Sequence, residues 1–156
     1  MSEKRLKIFA GPNGSGKTTL FEALARNYDT GIFLNADLIE KELSATGFID
    51  LTKFGLHLDE EDLQNFLSTN RAKSLLSKSI MEKHIIDISI KENIIIDGEK
   101  HNHSYEGALI SAFIRFHLQQ QQIDFCFETV MSHPSKIQEM IEAKKAGYKI
   151  YLYFIC

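Results

Sequence analysis

Leu6-Lys7-Ile8-Phe9-Ala10-Gly11-Pro12-Asn13-Gly14-Ser15-Gly16-Lys17-Thr18-Thr19 is the stretch on which the fold turns. Its first five residues are mostly apolar and run straight into glycine, the pattern of a short buried strand feeding a tight turn. Beyond the glycines, Leu20, Ala23, Leu24 and Tyr28 recur at helical spacing, so a helix is expected from Lys17 to Asn27. The expected order is strand, glycine-rich turn, helix. Such a turn lets the backbone point several N–H groups inward at one anion, and the helix adds the positive end of its dipole.

Gly11 to Thr18 fits the P-loop pattern G-x-x-x-x-G-K-[ST] without a gap. Lys17 can reach the β- and γ-phosphates of a nucleotide, and the Thr18 hydroxyl can ligand Mg²⁺. Gly11, Pro12, Asn13, Gly14, Ser15, Gly16, Lys17, Thr18 and Thr19 are therefore the candidate nucleotide-binding residues, with ATP (or GTP) and Mg²⁺ as the expected ligands. The chain lacks the Leu-Ser-Gly-Gly-Gln signature of a transporter ATPase and the Asn-Lys-x-Asp of a GTPase.

Outward from the loop, Ile32-Phe33-Leu34 reads as a second strand. Asp37 to Ser44 reads as a second helix with Leu38, Ile39 and Leu43 on its apolar side. Asp59 is placed to cap a helix carrying Leu63, Phe66 and Leu67, whose register slips across Ser68-Thr69-Asn70, so a kink or restart is expected there. Ile86, Ile88 and Ile90 alternate with polar residues, and Ile94-Ile95-Ile96 follows a short polar turn: a β-hairpin near 85–97. Tyr105, Ala108, Leu109, Ala112, Phe113 and Phe116 trace an amphipathic helix. Ile123 to Thr129 is a strand, and Ile137, Met140 and Ile141 mark a helix capped by Ser132 or His133 and stopped by Gly147. Tyr148 to Ile155 is the last strand. Strands alternating with helices give an α/β fold, here a P-loop NTPase fold with a mostly parallel sheet, helices on both faces and an inserted hairpin. No linker divides the chain, so 1–156 reads as a single domain.

Two carboxylates stand just past strand ends, where parallel sheets meet their ligands. Asp37 can orient an acceptor hydroxyl and take its proton; the plainer alternative is that it caps the helix after it. Glu128 can hold Mg²⁺ through water; the alternative is a strand-end carboxylate facing bulk solvent.

Ala10 to Thr18, Leu34-Asn35-Ala36-Asp37, Phe127-Glu128-Thr129-Val130-Met131-Ser132 and Ala146-Gly147-Tyr148 together resemble the zeta-toxin-like P-loop kinases. The resemblance runs through nearly the whole chain in order. It implies transfer of the γ-phosphoryl group to a hydroxyl of a small molecule, a UDP-N-acetylamino sugar in that family, and admits an antitoxin protein as partner. By it Lys17 is the phosphate lysine, Asp37 the substrate base and Glu128 an acidic site residue. Two departures stand out. The family's lid arginines follow the last strand, whereas this chain has no arginine after Arg115; and the segment from Ile85 to His103 has no counterpart. Because Phe154-Ile155-Cys156 ends inside an apolar run, the expectation is a fragment lacking its C-terminal lid and last strand.

The 156 residues carry 18 Lys and Arg against 21 Asp and Glu, a net charge of -3. That balance argues against a polymer of phosphates as the main partner, so nucleic acid is not expected. A nucleotide or nucleic-acid-end kinase, a plain NTPase and a nucleotide-dependent binding module are the competing readings. No apolar run reaches the roughly 18 residues of a membrane span and no signal-peptide pattern is present, so a cytoplasmic chain is expected, without a membrane partner. Cys126 and Cys156 sit in apolar runs and read as buried free thiols. His101 and His103 form a lone His-x-His, read as a polar loop rather than a metal site. Arg115 falls off the apolar stripe of its helix and is expected in solvent.

Overall fold

β1 (Lys4–Ala10) is the strand around which its part of the chain is arranged. The computed structural model describes residues 3–132 and 134–156. In it every β1 residue from Leu6 to Ala10 is buried. A strand so buried needs partners on both edges, and it pairs in parallel with β6 (Phe125–Thr129) on one side and β7 (Tyr148–Phe154) on the other. β2 (Ile32–Leu34) adds to the far side of β6, giving the order β2-β6-β1-β7. Parallel neighbours need crossover connections. Helix α1 (Lys17–Ala25) lies between β1 and β2, and α6 (Ser135–Lys145) between β6 and β7. The α/β reading holds: a four-stranded parallel sheet flanked by helices.

The described residues form two compact units. One comprises the residues up to Asn35 with Leu118–Cys156, the other Ala36–His117. The first packs Leu6, Ile8, Phe9, Leu34, Phe125 and Phe127 in its core. The Phe21 ring stacks on Phe33 at 4.0 Å and meets Phe9 edge-on at 5.8 Å, which fastens α1 to the sheet. Phe21 thus does the work expected of Ala23 and Tyr28; both of these are exposed, and Tyr28 lies past the helix. Cys126 is buried, and burial pushes its thiol up to about 12. Cys156, expected buried, is exposed. Pro134 occupies the N-cap of α6 with no side-chain cap. Ser132 precedes it without capping, and the alternative cap, His133, lies outside the described residues. Ile137 and Ile141, expected to face inward, are exposed, while Glu139 and Ala143 are buried.

The second unit holds α2 (Ala36–Thr46), β3 (Phe48–Asp50), α3 (Glu60–Leu67), α4 (Asn70–Met81), β4 (Ile88–Lys91), β5 (Ile94–Asp97) and most of α5 (Ser104–Gln120). The expected hairpin is present as β4 and β5. Its two turn residues, Glu92 and Asn93, both have positive φ (52° and 64°), as the two-residue turns matched to strand twist require. Asn93 also anchors the turn: its Nδ2 donates to the Leu56 carbonyl at 2.8 Å and its Oδ1 accepts from the Leu58 amide at 2.8 Å. A third strand, β3, pairs antiparallel with β5 and extends the hairpin into a sheet, which the alternation of isoleucines alone did not foretell.

Asp59 caps α3 as read, in a reciprocal capping box with Asp62. The register slip becomes a break, with Thr69 capping α4. In α2, Ile39 and Leu43 are buried but Leu38 is exposed. Phe66 packs edge-on against Phe113 of α5 at 5.4 Å. Arg115 corrects the sequence reading: it is buried, and its Nη1 donates to Ser111 Oγ one turn earlier at 2.8 Å. Helical periodicity registers apolarity, not whether a guanidinium finds a partner inside. No helix among the described residues is long and apolar enough to cross a membrane.

Candidate functional site

The parallel register sets three strand ends level. Ala10 lies opposite Thr129, Phe9 opposite Glu128, and Leu34 opposite Phe127. The residues that follow β1 and β2, Gly11 and Asn35, therefore emerge at the same edge as Glu128. β1 also lies between β6 and β7, so the chain leaves it toward β2 on one side and returns to β7 on the other. Open parallel sheets bind ligands outside the carboxyl ends of their strands at such a reversal.

Gly11 to Gly16 forms the loop between β1 and α1. Gly11 has φ 154°, and a Cβ there would meet the Ile155 carbonyl oxygen at 2.3 Å and Ser15 Oγ at 2.8 Å. Only glycine fits where the loop leaves the sheet. Gly16, the N-cap of α1, is left-handed at φ 98° and offers no side-chain cap; the first turn of α1 holds no acidic residue. The positive end of α1 thus opens on the loop with nothing on its own side chains to neutralise it.

Lys17 Nζ folds back over the loop and donates to the carbonyls of Gly11 (2.7 Å) and Pro12 (2.9 Å). Ser15 Oγ is buried and has no hydrogen-bond partner among the described residues, an orphaned polar atom within the loop. These features fit a polyphosphate. A lysine ammonium lies against the loop carbonyls, and a buried hydroxyl within the loop lacks a partner among the described residues.

Thr18 Oγ1 donates to Glu128 Oε1 at 2.7 Å. The other carboxylate oxygen, Oε2, accepts from Asn35 Nδ2 at 2.8 Å. A hydroxyl and a carboxylate in contact beside a glycine-rich loop are the oxygen donors a hard divalent cation takes. Glu128 is half-buried and accepts a hydrogen bond on each oxygen. Asn35 is the site residue that sequence reasoning passed over in favour of Asp37. Its position directly after Leu34, at the end of β2, was the signal.

Asp37 lies in the first turn of α2 and is exposed. The helix starts one residue before it, at Ala36, so Asp37 is inside the helix rather than its cap. Pro12, Asn13, Gly14 and Thr19 are exposed. His103 is buried with Nδ1 2.6 Å from Asp97 Oδ2, and His101 is exposed, so the two histidines of the His-x-His do not share a role.

No protein-family model matches the sequence, and no curated protein matches it. The resemblance to zeta toxins therefore rests on the motifs alone. Among solved structures, the chain is similar to a chain of the Pnkp1/Rnl/Hen1 complex, with a TM-score of 0.43 and 15% identity. The match covers 100% of this chain and 36% of that one, so this chain spans about a third of the neighbour's length.

Proposed function

We propose that the protein is a P-loop phosphotransferase that moves the γ-phosphoryl group of ATP (or GTP) to a hydroxyl of a small molecule. The observation that carries this reading is the contact of Thr18 with Glu128, braced by Asn35, at the sheet edge where the loop of Gly11 to Gly16 begins. The Thr18 hydroxyl and the Glu128 carboxylate would hold Mg²⁺, which would supply positive charge to offset that on the phosphate oxygens. Lys17 exchanges its two loop carbonyls for the β- and γ-phosphates. The loop amides and the N-terminus of α1 hold the remaining phosphate oxygens. Asp37 takes the proton of the acceptor hydroxyl as its oxygen bonds to the γ-phosphorus. The bond from that phosphorus to the bridging oxygen breaks, and the nucleoside diphosphate leaves.

The zeta-toxin resemblance makes UDP-N-acetylamino sugars the first acceptors to try, and a toxin paired with an antitoxin protein the first biological setting. The test is to incubate the chain with ATP, Mg²⁺ and a panel of hydroxyl compounds, including such sugars, nucleosides and 5′-hydroxyl oligonucleotides, and to examine products by mass spectrometry. A product heavier by one phosphoryl group is expected from a small-molecule acceptor. Consumption of ATP with no phosphorylated product would reduce the reading to an NTPase, and a failure of calorimetry to detect nucleotide binding would overturn it.

A further inference from the structure

We propose that His84, Glu99 and Glu106 form a binding site for a divalent transition-metal ion of the zinc class, tying together three segments of the second unit. His84 follows α4, Glu99 lies in the loop after β5, and Glu106 is in the first turn of α5. One ligand atom from each lies within 4.8 Å of the other two.

The carboxylate of Glu106 is fully buried. His84 Nε2 faces both of its oxygens, at 2.8 Å from Oε1 and 2.6 Å from Oε2. A carboxylate out of water needs a cation, and here one imidazole nitrogen is shared between two oxygens. Glu99 is oriented toward the same point. Its Oε1 accepts from the amides of Lys100 (2.8 Å) and His101 (2.9 Å), which leaves Oε2 directed at His84 Nε2 from 3.7 Å. That distance is too long for a hydrogen bond. It is close to the roughly 3.4 Å between two donors bound tetrahedrally to one ion at about 2.1 Å. The His84–Glu106 contact, at 2.6 and 2.8 Å, has to open by about 0.6–0.8 Å to match.

Charge points the same way. Two carboxylates face one imidazole, so even a protonated His84 leaves a negative excess that a divalent ion removes. An outer layer fixes the loop: Asp97 Oδ1 accepts from the Glu99 amide at 2.8 Å while Oδ2 meets His103 Nδ1 at 2.6 Å, both side chains being buried. Partners behind the ligands are what holds a metal site in shape. One imidazole with two carboxylates suits zinc better than magnesium, which keeps most of its waters, and leaves a fourth position for water.

The test is calorimetric titration of the full chain with Zn²⁺, with excess Mg²⁺ present to saturate oxygen-only sites, alongside thermal melts with and without zinc. One equivalent is expected to bind and to raise Tm. His84→Gln and Glu99→Gln should each weaken binding at least about tenfold and abolish the rise in Tm, whereas His101→Ala should bind like the wild type. Glu99 lies on a half-exposed loop, so its variant decides the matter if His84→Gln does not fold. No zinc-dependent change in the wild type would mean that His84 and Glu106 form only a buried ion pair. Binding that survives both ligand variants, or falls with His101→Ala, would overturn the site.

Discussion

The hydroxyl of Thr18, in the first turn of α1, donates at 2.7 Å to Oε1 of Glu128 near the end of β6, across 110 residues of sequence. The contact exists because β6 pairs with β1 in a register that sets Glu128 beside Phe9, two residues before the loop that leads into α1.

Glu128→Gln should therefore separate cation chemistry from nucleotide binding. A glutamine amide keeps one acceptor oxygen and presents a donor where the second oxygen stood, so it cannot accept from both Thr18 and Asn35. Mg²⁺-dependent turnover should drop by about 10–100-fold or more, while nucleotide affinity measured without Mg²⁺ stays near wild type. Asn35→Ala should produce a smaller loss in the same direction, because it frees one oxygen of Glu128 without removing either charge. Steady-state rates across a range of Mg²⁺ concentrations would reveal both.

Lys17→Ala should weaken ATP binding by about 10–100-fold, the worth of roughly 1.5–3 kcal/mol for hydrogen bonds to a charged group. Lys17→Arg should not restore it fully, since a planar fork is a poor replacement for a compact ammonium above a tight loop. Calorimetry on the three proteins measures the difference. Wild-type affinity in Lys17→Ala would move the nucleotide elsewhere.

Asp37→Asn should leave nucleotide affinity nearly intact and remove phosphoryl transfer, as expected of a group that acts on the acceptor. Binding isotherms and single-turnover product formation on one protein preparation distinguish the cases. If ATP affinity fell in parallel with transfer, Asp37 would belong beside the nucleotide and its role as base would be lost.

His117→Phe should stabilise the protein increasingly as the solution is acidified. His117 is buried, Nε2 has no hydrogen-bond partner among the described residues, and the ring packs edge-on against Phe113 (4.7 Å) and Phe116 (5.2 Å). Burial holds its pKa below the usual 6.5, opposed only in part by the charge of Asp62. With the folded value depressed, the unfolded chain takes up the proton first. Stability conferred by the neutral ring is present above about pH 6.5 and is lost as pH falls toward the folded pKa. Melting curves from pH 7 to 5 should show the gap in Tm between variant and wild type widening, at about 2–4 °C per kcal/mol. A constant gap would mean that folded and unfolded chains take up the proton equally, so that folding does not depress the pKa of the imidazole.

Chemistry that depends on neighbours in sequence could be read from the residues alone. The glycine spacing of Gly11 to Gly16, the lysine and threonine that close the motif, the capping box at Asp59 and the positive-φ turn at Glu92-Asn93 are all local. Each is set by backbone sterics or by hydrogen bonds a few residues long, so sequence spacing specifies them. Asn35, Arg115 and the cluster of His84, Glu99 and Glu106 were not readable in that way. What makes Asn35 a brace is the pairing of β2 with β6; what hides Arg115 is packing round α5; what gathers His84 with two glutamates is the folding of three separate segments onto one point. In each case a polar side chain is placed by long-range packing, which sequence spacing does not encode.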